Sequence, residues 1–202
     1  SIIGRNAQDK IWKSSKYCLY KDTATSIGLL NKNKLVRAYI MLDSNGCSNA
    51  SEQSILDGVS KIDYLQGEQI GKLEEISGKI GDTPVTFIQH IPPKDLTYIY
   101  NSRDIGPGYS IDENDEFGKL NENPCVGRER YNQYYSLFNT DNVLFGHDHR
   151  NNLSIVNEGI RYTYITKTSY YDFHDNDMIG GTIQKISKTG EVTKTEHIYY
   201  TK

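Results

Sequence analysis

Val143-Leu144-Phe145 runs straight into Gly146-His147-Asp148-His149, an apolar triplet that stops at a glycine and two histidines. Apolar residues without alternation fit a strand covered on both faces, as in the parallel sheets of α/β proteins. Two upstream runs read the same way. Val36-Arg37-Ala38-Tyr39-Ile40-Met41-Leu42 stops at the turn cluster Asp43-Ser44-Asn45-Gly46, and Val85-Thr86-Phe87-Ile88-Gln89 is followed at once by His90. Between these two, Gln66-Gly67-Glu68 opens a helical pattern with Ile70, Leu73 and Ile76 on one face and Glu74 and Glu75 on the other. Glu68 suits the positive end of that helix's dipole. Ahead of Val143, the spacing of Tyr131, Tyr134, Tyr135 and Phe138 predicts a second helix whose rings belong to the core. Downstream, Tyr162 to Thr166, Thr182 to Ile186 and Val192 to Tyr200 read as antiparallel strands, the last two joined through Ser187-Lys188-Thr189-Gly190. Strand–helix alternation followed by a meander predicts an α/β layered domain with a second, partly antiparallel sheet. Residues 92–126 read as a long loop excursion, marked by Pro92-Pro93, Gly106-Pro107-Gly108 and the solvated acidic run Asp112-Glu113-Asn114-Asp115-Glu116.

The 202 residues suit one domain or a large piece of one. Lys+Arg 23 against Asp+Glu 26 gives a net charge of −3, which disfavours a dedicated nucleic-acid binder because no excess cation faces a phosphate backbone. The apolar runs fall far short of the ~20 residues a membrane span needs. Cys18, Cys47 and Cys125 lack any C-x-x-C spacing, which removes zinc ribbons and thioredoxin-type motifs and leaves one intrachain disulfide open. The acceptor sequons Asn49-Ala50-Ser51 and Asn152-Leu153-Ser154 leave secretion open, and Ser1-Ile2-Ile3-Gly4-Arg5 reads as a cut end without a signal pattern. The compartment is undetermined.

Chemistry concentrates in the histidines. His90, His147 and His149 each follow a buried-strand candidate, and strand carboxyl ends are where open α/β sheets bind ligands. Two imidazoles two residues apart on a glycine-freed turn can diverge toward two cations a few ångströms apart, an arrangement that clamps a phosphoryl group. The three are therefore expected to converge as metal ligands, although His90 and His147 are 57 positions apart in sequence. His197 alternates along an edge strand and reads as a surface residue, and Asp172-Phe173-His174 reads as a loop.

Phe87-Ile88-Gln89-His90-Ile91-Pro92-Pro93 followed by Phe145-Gly146-His147-Asp148-His149-Arg150-Asn151-Asn152 resembles the calcineurin-like metallophosphoesterases, in the branch related to purple acid phosphatases. Leu42-Asp43-Ser44, the helix from Glu68-Gln69-Ile70 to Leu73-Glu74, and Lys167-Thr168-Ser169-Tyr170 through Gly180-Gly181-Thr182 are similar to further segments of that branch. The resemblance covers nearly everything after about Tyr17, with the Gly-His-Asp-His turn its most specific element. The family's five ligand blocks are D-x-H, G-D, G-N-H-[DE], a single His and G-H-x-H, and only the last two are present. The resemblance thus implies that 1–202 is the C-terminal half of a four-layer α/β/β/α phosphoesterase sandwich. His90 and His147 would bind one metal and His149 the other. Asp148 and Arg150 flank these ligands as supporting groups, or else are exposed charges on a turn. The bridging Asp, the Asn ligand and the catalytic acid would lie on an N-terminal half, in the same chain or a second one.

The implied activity is hydrolysis of a phosphate ester at two divalent or trivalent ions, Fe, Mn or Zn, which polarise the phosphate and acidify a water. The chain alone is expected to be weak or inactive. The rival reading is a non-catalytic scaffold that keeps the fold for protein contacts, and a third is a small structural metal module of the three histidines alone.

Overall fold

A computed structural model describes residues 14, 18–20, 24–44, 67–102, 117–120, 131–171 and 174–200. Cys47, Cys125, the acidic run at 112–116, the sequon at Asn49 and the Asp172-Phe173 dipeptide lie outside these residues.

Strand β1 is Cys18–Tyr20, β2 Ala24–Asn31, β3 Lys34–Leu42, β4 Pro84–Gln89, β5 Asn139–Phe145, β6 Ser154–Asn157 and β7 Ile160–Tyr164. Together they form a seven-stranded mixed sheet in the order β1-β2-β3-β4-β5-β7-β6. Strands β3, β4, β5 and β7 are parallel neighbours, while β2 and β6 turn back antiparallel at either side. Helix α1, Gly67–Ile80, crosses from β3 to β4, and helices α2, Asp95–Ser102, and α3, Asn132–Tyr135, lie between β4 and β5. Strands β8, Gly180–Ile186, and β9, Val192–Tyr199, form a separate two-stranded ribbon.

The pleat explains the layering. Ala38, Ile40, Val85, Phe87, Val143 and Phe145 alternate onto one face and are fully buried, in one cluster with Leu73 and Ile76 of α1 and Leu96 and Ile99 of α2. The aromatic stripe belongs to this layer, since Tyr131, Tyr134, Tyr135 and Phe138 are all buried and Tyr135 and Phe138 pack their rings on Phe87. The opposite face carries Arg37, Thr86 and Asn142, and there the ribbon docks. Arg37 is fully buried, forms a bidentate ion pair with Asp141, donates to Thr86 Oγ1 at 2.7 Å and reaches Gly190 O at 2.5 Å. Gln184 Nε2 donates to Asn142 Oδ1 at 3.0 Å. Gly190 has φ +95°, and a Cβ there would lie 1.9 Å from Val36 O, so the ribbon turn approaches β3 only as glycine.

Several expectations need correction. The strand expected from Tyr162 to Thr166 does not join the trailing meander, because β7 lies in the main sheet, parallel to β5 and antiparallel to β6. The excursion 92–126 is not free of regular structure, because α2 occupies Asp95–Ser102 and Phe117 bridges Ser154. Pro92-Pro93 lie in the irregular stretch just before that helix, and Leu96 N–H donates to Pro93 O. The second helix is shorter than its aromatic spacing suggests, since α3 stops at Tyr135 and continues as turns. His197 is half-buried, not a surface residue, because its ring lies against Phe117 and its Nε2 meets Asn152 O at 2.9 Å.

Candidate metal centre

Four parallel strands end on one rim, and backbone-directed bonds stitch that rim together. Gln69 of α1 is buried and donates from Nε2 to Asp43 O at 2.8 Å, fixing the end of β3. Ser44 Oγ accepts from Ile91 N–H at 3.2 Å, joining the ends of β3 and β4. Gln89 donates to Ile91 O at 2.7 Å and accepts from Tyr135 OH at 2.8 Å, which sets the exit of β4 where His90 stands. Gly146 N–H donates to His90 O at 3.0 Å, and Ile165 N–H to Phe145 O at 2.8 Å, so β5 is held between its neighbours.

On this rim His90 and His147 meet. Nε2 of His90 and Nδ1 of His147 are 3.3 Å apart, with ring centroids at 5.1 Å and planes at 80°. Two imidazole nitrogens bound at 2.0–2.1 Å to one tetrahedral zinc would stand about 3.3–3.4 Å apart, so the separation fits one shared ion. His90 titrates below the usual imidazole range, chiefly through burial and then through the positive charges that His147 and His149 would carry. The direction favours the neutral form that a metal requires, although the ring edge is exposed on the rim. His147 has φ +78°, in the left-handed region for a residue other than glycine. Such backbone strain is worth roughly 1–3 kcal/mol and persists only where the surroundings over-determine it.

His149 is half-buried and close enough for its charge to act on His90. The three histidines therefore share a rim as a contacting pair with a third alongside. Among the described residues no group of three or more His, Cys, Asp and Glu is arranged to hold one ion. Asp148 is buried, not an exposed charge, and its Oδ1 accepts from Arg150 N–H at 3.1 Å, bracing the turn in the manner of an Asx turn. Arg150 is exposed and lies 3.9 Å from that carboxylate. A cleft of about 500 Å³ lined by Lys34, Asp82 and Lys188 opens at the opposite, amino edge of the sheet, away from the histidines.

Gln69, Ser44 and Gln89 organise the rim, a role that neither periodicity nor motif spacing assigns to them. Their signal is faint: a polar residue within a buried pattern, as Gln69 beside Leu73 and Gln89 at the end of an apolar strand. No protein-family model matches the chain, and no curated protein matches it significantly.

Proposed function

We propose that this chain supplies part of a metal-dependent phosphoesterase site of the calcineurin-like kind. The observation that carries the reading is the His90–His147 pair, two imidazole nitrogens at the separation of ligands to one ion. Both follow adjacent parallel strands, where α/β sheets hold their ligands. His90 and His147 would hold one ion and His149 would contribute to a second, with Fe, Mn or Zn suited to a set of imidazoles without thiolate. When bound, such ions supply electrophilic polarisation of the phosphate and a water acidic enough to ionise near neutral pH. The chain's own part is to present His90 at the end of β4, to aim His147 from a constrained turn and to brace that turn through Asp148.

The reading includes a four-layer α/β/β/α architecture completed by an N-terminal half. Tyr39, Met41, Ile88 and Leu144 lie on the ribbon side of the sheet and stay partly exposed, whereas Ile40, Phe87 and Val143 beside them are fully buried. A second sheet laid on that side would cover them and bring the remaining ligands to the rim.

The test is Co²⁺ or Zn²⁺ titration of the chain beside its His90→Ala and His147→Ala variants, followed by aryl phosphate turnover with Mn, Zn or Fe supplied. The expected result is one ion bound through both histidines, with little turnover until the complementary half is present. Absence of binding would leave the scaffold reading in its place. Turnover by the chain alone at about 1–10³ per second, abolished by His147→Ala, would overturn the dependence on a second half.

A further inference from the structure

We infer that Asn152 is the positioning residue of the histidine turn, holding its far end so that His147 keeps its left-handed backbone and faces His90. The inference rests on the metal-site reading above for its purpose, but its geometry stands independently. The turn leaves β5 at Gly146, whose N–H is tied to His90 O, and it returns to the sheet at β6. At the return, all four polar groups of Asn152 are engaged. Its N–H donates to Lys119 O at 3.3 Å, and its Oδ1 accepts from Lys119 N–H at 2.8 Å. Its Nδ2 donates to Tyr199 OH at 2.7 Å, and its carbonyl accepts from His197 Nε2 at 2.9 Å.

These partners come from two remote segments, so Asn152 pins the turn to both. Residues 117–120 lie along the β6 edge, with Phe117 and Ser154 exchanging both backbone bonds at 3.0 and 2.8 Å. Gly118 has φ +84°, and a Cβ on it would lie 2.1 Å from Asn152 O, so this approach is open to glycine alone. On the ribbon side the carbonyl of Asn152 fixes the proton of His197 on Nε2. Nδ1 is then the acceptor for the Thr182 hydroxyl at 3.0 Å, and Thr182 Oγ1 accepts from Thr166 N–H at 3.1 Å. Strain at His147 needs both ends of its turn held. Gly146 holds one end through His90 and Asn152 holds the other.

The experiment uses the full chain without metal and compares it with Asn152→Ala, Asn152→Asp and Tyr199→Phe. Asn152→Asp keeps the acceptor for Lys119 and can accept from the Tyr199 hydroxyl. Tyr199→Phe removes one partner only and keeps the test open should Asn152→Ala fail to fold. The readout is the nuclear Overhauser contact between the His90 and His147 rings, taken where circular dichroism shows each variant folded. The contact is expected in the parent and in Asn152→Asp, weakened in Tyr199→Phe and lost in Asn152→Ala. Co²⁺ affinity should fall about tenfold or more in Asn152→Ala, the usual scale for losing a group that orients a ligand. An undiminished ring contact in folded Asn152→Ala, or in Tyr199→Phe if the first does not fold, would overturn the inference. A parent that keeps the contact yet binds no Co²⁺ would overturn the metal reading and leave the positioning role standing.

Discussion

His147 sets backbone preference against chemistry, since an L side chain at φ +78° carries a penalty that glycine escapes. His147→Gly should therefore exceed His147→Ala in stability by about 1 kcal/mol, although both remove the imidazole. Urea unfolding of the two variants measures the difference, and equal midpoints would mean the left-handed turn is not held in solution. His197 gives a pH prediction. Burial lowers its proton affinity more than the bond to Asn152 O raises it, so its folded pKa lies below the unfolded value. As pH falls below about 6.5, the unfolded chain takes up a proton that folded His197 refuses, so stability is full above that pH and is lost as pH drops toward and through the folded value. His197→Gln should flatten this part of the profile relative to the parent. Thermal melts between pH 5 and pH 7.5 decide it, and an unchanged slope would remove His197 as the cause. Both effects were hard to read from sequence. The histidines themselves were legible because each sits at the end of an apolar run, but left-handed backbone at a non-glycine residue leaves no compositional mark.

Among the elements, the ribbon is tied to the sheet through one buried cation as well as through Gln184, Thr182 and His197. Arg37 lies within β3 with no exposed surface and satisfies Asp141, Thr86 and Gly190 together. Arg37→Ala should destabilise the fold by about 3 kcal/mol, the low end for breaking a buried pair, because Asp141 keeps some solvent. Arg37→Lys should recover little, since a single ammonium cannot match the bidentate fork. Denaturant titration checks both, and a change under 1 kcal/mol for the alanine would mean the ribbon is held otherwise. The parallel strands β3, β4 and β5 and helix α1 were legible from unbroken apolar runs and from 3.6-residue periodicity. The β8–β9 hairpin was legible from Ser187-Lys188-Thr189-Gly190, but the β2–β3 and β6–β7 hairpins were not. Lys32 and Asn33 connect β2 to β3 with φ +48° and +65°, and Glu158 and Gly159 connect β6 to β7 with φ +50° and +80°. Both are two-residue turns with both central residues left-handed, but neither spells the Asn-Gly or Asp-Gly signal that would mark them.

For the molecule as a whole, the two faces of the sheet are unequally covered. Phe87 and Ile88 are consecutive, yet the first is fully buried under the helices and the second partly exposed on the ribbon side. Phe87→Ala should cost about 3–5 kcal/mol. Ile88→Ala should cost about 1 kcal/mol or less in the isolated chain, as substitutions at incompletely packed positions do. If a further sheet covers that side, the penalty for Ile88→Ala should rise once the complementary half is bound, and paired melts with and without it would show this. The chain alone should self-associate through that apolar face, which light scattering would detect. A monodisperse monomer with one transition above about 50 °C would argue against a missing layer.

The docking of Asn152 also bears on how the chain matures. Asn152-Leu153-Ser154 spells an acceptor for N-linked sugar, but in the fold Leu153 and Ser154 have no exposed surface and the Asn152 amide nitrogen is spent on Tyr199. A transferase needs that amide free on an extended, accessible segment, a condition that ends once β6 closes against Phe117 and β7. In any compartment where such a transferase is present, oligosaccharide transfer and strand closure are thus competing fates of one nitrogen. Rapid closure hides the acceptor for good, whereas a slow-folding variant would emerge glycosylated and barred from the native latch.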